Sequence, residues 1–257
     1  MHAKFSREEF AAKLGANGDP KLNAAADFAA RLLNGPAGDG VARIVLFGSV
    51  ARGEPKPESD VDLLAIGADD LDSLEKQVSD SAYDLLLEGS DYISPMVYGL
   101  SEAAFPQAYF LYHVLKVGKE IYQMDDAQLR RKQAEIYEGL ADEFIRTAEH
   151  ALQGGYWRGA VDDAYNAAEL STKGLLLLRS QNVPTTHGGI AQMFGKVYVT
   201  TGVAPRELGR RLSKYLDLRH KARYDGQAKI DGDAARESID FAKEMLAFLN
   251  AQLMELS

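Results

Sequence analysis

The strand-like runs of this sequence stop near its middle, and that change constrains the fold more than any other feature. The strands expected in the first half are 41–47, 60–67 and 92–99, and helical patterns at 19–35, 71–89 and 101–122 lie around them. Strands that alternate with helices predict an α/β (α+β) domain, in which helices flank a small mixed sheet.

The second half has helical patterns only. We expect helices near 126–153, 156–181, 187–199, 205–224 and 232–254, separated by short breaker segments rich in Gly, Pro and Asp. Loops this short favour antiparallel packing in a helix bundle. The segment "QMDDAQ" offers a helix N-cap, so the sequence predicts a first domain at 1–124 and a helical domain at 125–257.

Composition excludes several classes of protein and site. The 257 residues include no cysteine, which rules out disulfides and cysteine-ligated zinc. The N-terminal segment carries acids and has no long apolar stretch, unlike a secretory signal. The longest apolar runs, such as 174–178, are too short to span a bilayer. We therefore expect a cytoplasmic protein without a membrane partner.

Charge is distributed unevenly along the chain. Residues 1–124 carry 11 basic and 19 acidic side chains, whereas residues 125–257 carry 18 and 19. Within the second half, residues 206–223 hold seven basic and two acidic groups. This local excess indicates an anionic partner, such as nucleic acid, nucleotide or the acidic first half, or else a solvated helix face.

Two carboxylates begin the strand predicted at 60–67. Asp60 and Asp62 are two residues apart, so strand alternation places both side chains on one face. Adjacent carboxylates repel each other, and a divalent cation between them relieves that repulsion. Hard oxygen ligands select Mg²⁺ or Mn²⁺, so Asp60 and Asp62 are candidate metal ligands.

A small-residue turn precedes these carboxylates. Gly48 lets the backbone approach a phosphate closely, and the hydroxyl of Ser49 adds a donor for anionic oxygens. Arg52 is available to pair with phosphate or with an acid. An anion cradle followed by a cation site suits a metal–nucleoside triphosphate.

The combination of "GSVARG" at 48–53 with "SDVDL" at 59–63 resembles the nucleotidyltransferase superfamily, and most closely its minimal nucleotidyltransferases. The resemblance covers roughly residues 20–122. It implies Mg²⁺-dependent transfer of a nucleoside monophosphate, with ATP the expected nucleotide, to a hydroxyl of a small molecule, RNA or protein. By the motif, Gly48, Ser49 and Arg52 would bind the triphosphate, and Asp60 and Asp62 would be the catalytic metal ligands.

One position departs from that family's pattern. Active members usually carry a third carboxylate on a later strand, and the run "YISPMVYG" contains no acid. Asp91 lies just before this run, and Asp84 and Glu88 belong to the preceding helix. The alternative to an enzyme is therefore a catalytically degenerate nucleotide-binding or regulatory module, or a toxin–antitoxin-like system in which one half restrains the other.

The helical half resembles a HEPN domain, on the stretches 159–178, 183–202 and 207–226. Many HEPN domains are RNases with an Arg, four to six residues, and then a His. Here Arg219 is followed after four residues by Tyr224, which is a poor general base, so RNase activity is not expected. Related domains commonly pair, and we expect a homodimer mainly through the helical half, with Arg219 and Tyr224 near the interface or in a cleft beside it.

Three side-chain environments in the helical half follow from its pattern. If Arg219 and Tyr224 have no functional role, Tyr224 packs its ring and Arg219 pairs with Asp217 or Asp225. Tyr156 and Trp157 are expected to pack against the bundle. Asp162, Asp163 and Glu169 lack an accompanying His and are interpreted as solvated or interface residues.

Overall fold

A computed structural model describes residues 5–104, 106, 108–180 and 182–255. Phe105 and Gln107, within the helical pattern predicted at 101–122, and Gln181, the last residue of that at 156–181, lie outside the described residues. Residue contacts divide the chain into two compact units between Leu129 and Arg130.

The N-terminal unit combines four strands with helices. In chain order its elements are α1 (Arg7–Leu14), α2 (Pro20–Asn34), a 3-10 turn (Gly38–Gly40), β1 (Val41–Phe47), α3 (Gly48–Arg52), β2 (Val61–Gly67), α4 (Leu71–Leu87), β3 (Ile93–Gly99), α5 (Leu100–Ala104), α6 (Tyr109–Val117) and β4 (Lys119–Gln123).

The four strands form one mixed sheet in the order β3-β2-β1-β4. β1 pairs antiparallel with β2 and with β4, and β2 pairs parallel with β3. The parallel pair needs a crossover connection, and α4 provides it. This confirms the predicted small mixed sheet flanked by helices.

The helices α2 and α4 bury one face of the sheet. Phe28 and Leu32 of α2 and Leu74 of α4 pack in one cluster with Ile44 and Leu63 of the central strands. The N-terminus of α2 is well defined, because Asp19 caps it and Pro20 occupies its first turn. α6 contacts β1, where Phe110 meets Phe47 edge-on.

Two local predictions in this unit were incomplete. The segment after α6 is a strand, β4, whereas the helical pattern predicted from the sequence extended to residue 122. Its residues Lys119 and Glu120 are polar, and it is ordered by pairing with β1, where Arg43 bonds Glu120 at 2.7 Å. The small-residue turn of the motif is a short helix, α3, that follows β1 directly.

The C-terminal unit contains helices and no strand among residues 130–180 and 182–255. The elements that carry it are α7 (Asp126–Gln153, whose first turn precedes the division), α8 (Trp157–Arg179), α9 (His187–Phe194), a π-helical turn (Gly195–Val199), α10 (Arg206–Tyr224) and α11 (Gly232–Glu255). This confirms the helical second half. The five predicted helical patterns fall on these elements.

α8 lies at the centre of this core and packs closely against α11. Alanines 160, 164, 167 and 168 give α8 a narrow buried stripe. At Gly174 an added Cβ would lie 2.8 Å from Leu249 of α11, so the two helices approach closely there. Tyr156 precedes α8 and is 74% exposed, so the prediction that it packs against the bundle is wrong. Trp157 is partly exposed, and its indole lies beside Gly232 of α11. In the described part of the chain, no helix combines the length and apolarity needed to cross a bilayer.

Candidate functional site

The two halves of the sequence motif meet at Gly48 and Asp62. Gly48 has a φ of 72°, in the left-handed region that favours glycine. A Cβ added at this position would collide with the carboxylate of Asp62. The pairing of β1 with β2 sets Phe47 opposite Asp62, so the sheet register itself produces this contact. Gly48 is therefore required both by the turn and by its carboxylate neighbour.

The segment between α3 and β2 is held by short-range bonds. Gly53, with a φ of 75°, ends α3, and the amide of Glu54 donates to the carbonyl of Ser49 at 3.0 Å. Further along, the hydroxyl of Ser59 accepts a hydrogen bond from the amide of Lys56 at 2.9 Å. These contacts fix the backbone that leads into Asp60.

The side chain of Lys21, on α2, also holds this segment in place, and sequence reasoning missed this role. Its ammonium group donates to the carbonyls of Pro57 at 3.1 Å and Ser59 at 2.5 Å, and it pairs with Asp91 at 3.1 Å. Lys21 is only 8% exposed, which is unusual for a lysine. No local pattern marks this residue, because its partners lie 36 to 70 positions away.

Asp60 and Asp62 are neighbours, although β2 begins at Val61 and Asp60 therefore precedes the strand. Burial raises the pKa of Asp62 above its ordinary value, and the negative charge of Asp60 raises it further. The guanidinium of Arg52 offsets part of that rise. The electrostatic conflict that the sequence suggested is thus present, and a divalent cation with oxygen ligands would relieve it.

The later strand supplies no third carboxylate. Ser94 of β3 lies opposite Asp62, and β3 contains no acid. The three acidic residues that precede this strand are engaged elsewhere: Asp91 pairs with Lys21, and Asp84 and Glu88 pair with Arg31. Within the described ranges no group of three or more His, Cys, Asp or Glu could hold a metal.

Two carboxylates are still enough to bind a magnesium ion when nucleotide phosphates supply further ligands. In proteins Mg²⁺ is commonly bound through one or two carboxylates together with substrate phosphates. The side chain of Arg52 is mostly exposed, and its guanidinium is close enough to Asp62 for its charge to lower the pKa of that carboxyl. The donor set suits a metal–triphosphate better than a metal alone.

A second polar cluster lies in the helical unit and surrounds Arg219. The guanidinium donates through Nε to Asp162 at 2.9 Å, and its Nη1 lies 3.3 Å from Nε2 of His187. The other ring nitrogen of His187 bonds to Glu169, whose carboxylate also pairs with Lys173 at 3.1 Å. Arg219 is only 5% exposed.

These contacts assign the tautomer of His187. Arginine has donors only, so Nε2 accepts from Arg219, and Nδ1 then carries the proton and donates to Glu169. Burial raises the pKa of Glu169, but the hydrogen bond from His187 and the charge of Lys173 outweigh it and hold the pKa below its ordinary value. The cluster resembles an acid–base site in which a carboxylate orients a histidine beside a cation.

Several predictions in this unit were wrong. Arg219 pairs with Asp162 of α8, not with Asp217 or Asp225. Glu169 is buried and bonded rather than solvated, and Tyr224 does not pack its ring, since 74% of it is exposed. Sequence reasoning missed the role of His187, because this residue begins another helix, 32 positions before Arg219.

Family models match both units. The "Nucleotidyltransferase domain" model matches residues 31–132, which include the turn at Gly48 and both aspartates. The "HEPN domain" model matches residues 137–252, which include the cluster around Arg219.

Two individual proteins are also similar. A protein of Methanocaldococcus jannaschii named "Putative toxin MJ0605" is 35% identical over 106 residues, which span 41% of this chain and 77% of that protein. The crystal structure of spectinomycin adenyltransferase AAD(9) from Enterococcus faecialis, with ATP and spectinomycin, matches at 13% identity and covers 88% of this chain and 98% of its own. The TM-score of that match is 0.28, which is too low to support a conclusion.

Proposed function

Since this chain belongs to the proteins that join an N-terminal nucleotidyltransferase domain to a C-terminal HEPN domain, we propose that its first domain binds a Mg²⁺–nucleoside triphosphate, with ATP the expected nucleotide. We further propose that it transfers the nucleoside monophosphate to an acceptor hydroxyl. The contact between Gly48 and Asp62 carries this proposal, because the turn that we propose to bind phosphate lies against a candidate metal ligand.

Each site residue has a role in the proposal. The backbone at Gly48, the hydroxyl of Ser49 and the guanidinium of Arg52 hold the triphosphate, and Asp60 and Asp62 hold Mg²⁺ or Mn²⁺. The metal, when bound, supplies positive charge that stabilises the phosphoryl oxygens. Lys21 keeps the segment before Asp60 in place through its bonds to Pro57 and Ser59.

The transfer itself is a displacement at the α-phosphorus. The acceptor oxygen forms a bond to this phosphorus, the bond to the bridging oxygen breaks, and pyrophosphate leaves with the bonding pair. The acceptor hydroxyl loses its proton in the same process, and without a side-chain base the proton passes to solvent water. Ser94 lies opposite Asp62 on β3, which contains no acid to accept this proton, so we expect slow transfer or, as the alternative, nucleotide binding without turnover.

Replacement of both aspartates tests the site. We expect Asp60→Asn/Asp62→Asn to weaken Mg²⁺-dependent ATP binding at least tenfold, measured by calorimetry with and without Mg²⁺. Asp69→Asn/Asp72→Asn, a double change of the same charge in the same domain, is the matched control and should bind normally. Equal binding by both double variants would refute the assignment.

Incubation with α-labelled triphosphates and cell extract then shows whether the label is transferred to an acceptor, and whether that acceptor is a small molecule, RNA or protein.

A second candidate function belongs to the helical domain, and the contact between Arg219 and His187 favours it. The sequence motif for RNA cleavage is absent from α10, but the structure supplies a histidine to Arg219 from α9. A histidine can take and return the proton of a ribose hydroxyl, and the guanidinium can stabilise the phosphate charge. The relative named a toxin is compatible with such an activity, with the first domain as its regulator.

Metal-free cleavage of RNA tests this second candidate. The wild-type chain should cut single-stranded RNA in EDTA, and His187→Ala should abolish cutting while keeping the helical circular-dichroism signal. His150→Ala is the control, because His150 is exposed and its ring bonds the carbonyl of Arg146 on the same helix. Cutting that persists in His187→Ala would exclude this site.

Assembly through the helical domain is also a proposal. Tyr156, Trp157 and Tyr224 are large exposed side chains of this domain, and burying such groups favours association. Light scattering of the full chain at micromolar concentration should give a dimer, and Trp157→Ser should shift it toward monomer. A monomeric wild type would refute the proposal.

A further inference from the structure

A cavity of about 530 Å³ lies between α3 and α6, beside the proposed triphosphate site. Its volume is in the range of small-molecule sites. The cavity is formed entirely within the N-terminal domain, and its lining residues are Phe47, Gly48, Ala51, Arg52, Phe110, His113, Val114, Val117 and Gly118.

The lining is aromatic and aliphatic, with two polar side chains. The rings of Phe47 and Phe110 meet edge-on, with centroids 5.6 Å apart and planes at 79°. Phe110 is 41% exposed, so part of its ring is accessible without any rearrangement. Arg52 and His113 are the side chains of this lining that can form hydrogen bonds. Such a surface suits a flat, mostly apolar group with polar atoms at its edge.

The cavity and the proposed triphosphate site share residues. Gly48 and Arg52 line the cavity, and both belong to the turn that faces the carboxylates. A ligand with a charged end at this turn can therefore extend its apolar end into the cavity without leaving the protein surface. A nucleoside triphosphate has this division, with phosphates at one end and a planar base at the other.

We propose that this cavity holds the nucleobase of the bound nucleoside triphosphate, an inference that rests on the proposed function of the first domain. The base stacks on Phe110, and His113 bonds its polar edge. Stacking on an aromatic ring accepts any base, because every base has a π-face. A purine offers the larger face, so ATP and GTP bind more tightly than CTP and UTP.

Comparison of two ligands isolates the base from the phosphates. Mg²⁺–ATP and Mg²⁺–tripolyphosphate are titrated into the full chain by calorimetry, for the wild type and for Phe110→Ala. Loss of one stacking interaction should weaken ATP binding about tenfold. Binding of tripolyphosphate, which reaches only the turn and the carboxylates, should change less than twofold. Tyr112→Ala is the matched control, because Tyr112 lies on the same helix and is exposed but does not line the cavity.

The outcomes separate this inference from the function on which it rests. If the wild type binds neither ligand, the proposed function fails, and the cavity assignment fails with it. If the wild type binds ATP and Phe110→Ala binds it equally well, only the assignment of the cavity to the nucleobase fails. The cavity could then bind the acceptor instead. Equal affinity of the wild type for ATP and tripolyphosphate would also refute the assignment of the cavity to the nucleobase. Should Phe110→Ala lose its cooperative thermal transition, His113→Ala replaces it, with a weaker but still ATP-selective loss expected.

Discussion

The two polar clusters of this protein differ in how their charges are compensated. In the first domain Asp62 has a raised pKa, because burial and the charge of Asp60 both disfavour its ionised form. In the helical domain Glu169 has a lowered pKa, because His187 and Lys173 outweigh its burial. In the first cluster the charge of Arg52 offsets only part of the rise, whereas in the second cluster the positive charge outweighs the burial of the carboxylate.

This difference indicates two kinds of contribution to the protein. Carboxylates that repel each other reduce the stability of the folded chain and are suited to capturing an external cation. A carboxylate, a histidine and an arginine that satisfy one another stabilise the fold. Substitutions in the helical cluster should therefore lower stability, and substitutions of the aspartates should mainly lower ligand binding.

The largest expected effect is the loss of Arg219. Arg219→Ala leaves Asp162 and His187 without their buried partner, and we expect a loss of about 3 kcal/mol in the free energy of unfolding. Chemical denaturation followed by circular dichroism measures it. Arg210→Ala on the same helix is the control, since the Arg210–Glu207 pair is exposed and should change stability by less than about 0.5 kcal/mol. Similar losses in both variants would remove the distinction between the clusters.

The next effect concerns Gly48. Gly48→Ala combines a positive φ with a collision against Asp62, so we expect a loss of about 2 kcal/mol together with loss of ATP binding. Gly139→Ala is the opposite case, because Gly139 lies within α7 with open space around its Cα. That variant should gain about 0.5–1 kcal/mol from helix propensity. A stable Gly48→Ala variant that binds ATP would show that the turn tolerates a side chain.

The same contrast explains which features the sequence could reveal. The first cluster was predictable because Gly48 and Asp62 belong to one short segment, whose strand register brings them together. The helical cluster was not, because Asp162, His187 and Arg219 come from three helices, and only packing determines which of them meet. β4 was missed for a similar reason, since its short polar segment forms a strand through its pairing with β1.

A smaller effect is expected for Glu169, and it depends on pH. Because the pKa of Glu169 in the folded chain lies below its ordinary value of 4.5, its ionised form stabilises the fold above that pH. Glu169→Gln should therefore cost about 1 kcal/mol at pH 7. The difference from wild type should shrink as the pH falls below 4.5, because the unfolded chain takes up the proton first, and it should vanish only below the lowered pKa of the folded chain. Denaturation series at pH 7 and pH 3.5 measure it, and a difference that does not vary with pH would contradict the assigned contacts.

The smallest effect has the opposite sign and comes from the same chemical change in the other cluster. The raised pKa of Asp62 means that its negative charge is less favourable in the folded chain than in the unfolded one at neutral pH. Asp62→Asn removes that charge and keeps the shape of the side chain, so stability without Mg²⁺ should stay equal or rise by up to about 0.5 kcal/mol. Denaturation in EDTA measures this change. Addition of Mg²⁺ and ATP should then stabilise the wild type and leave Asp62→Asn unchanged. A loss of stability in EDTA comparable to that of Glu169→Gln would show that Asp62 supports the fold, and the contrast between the two clusters would fail.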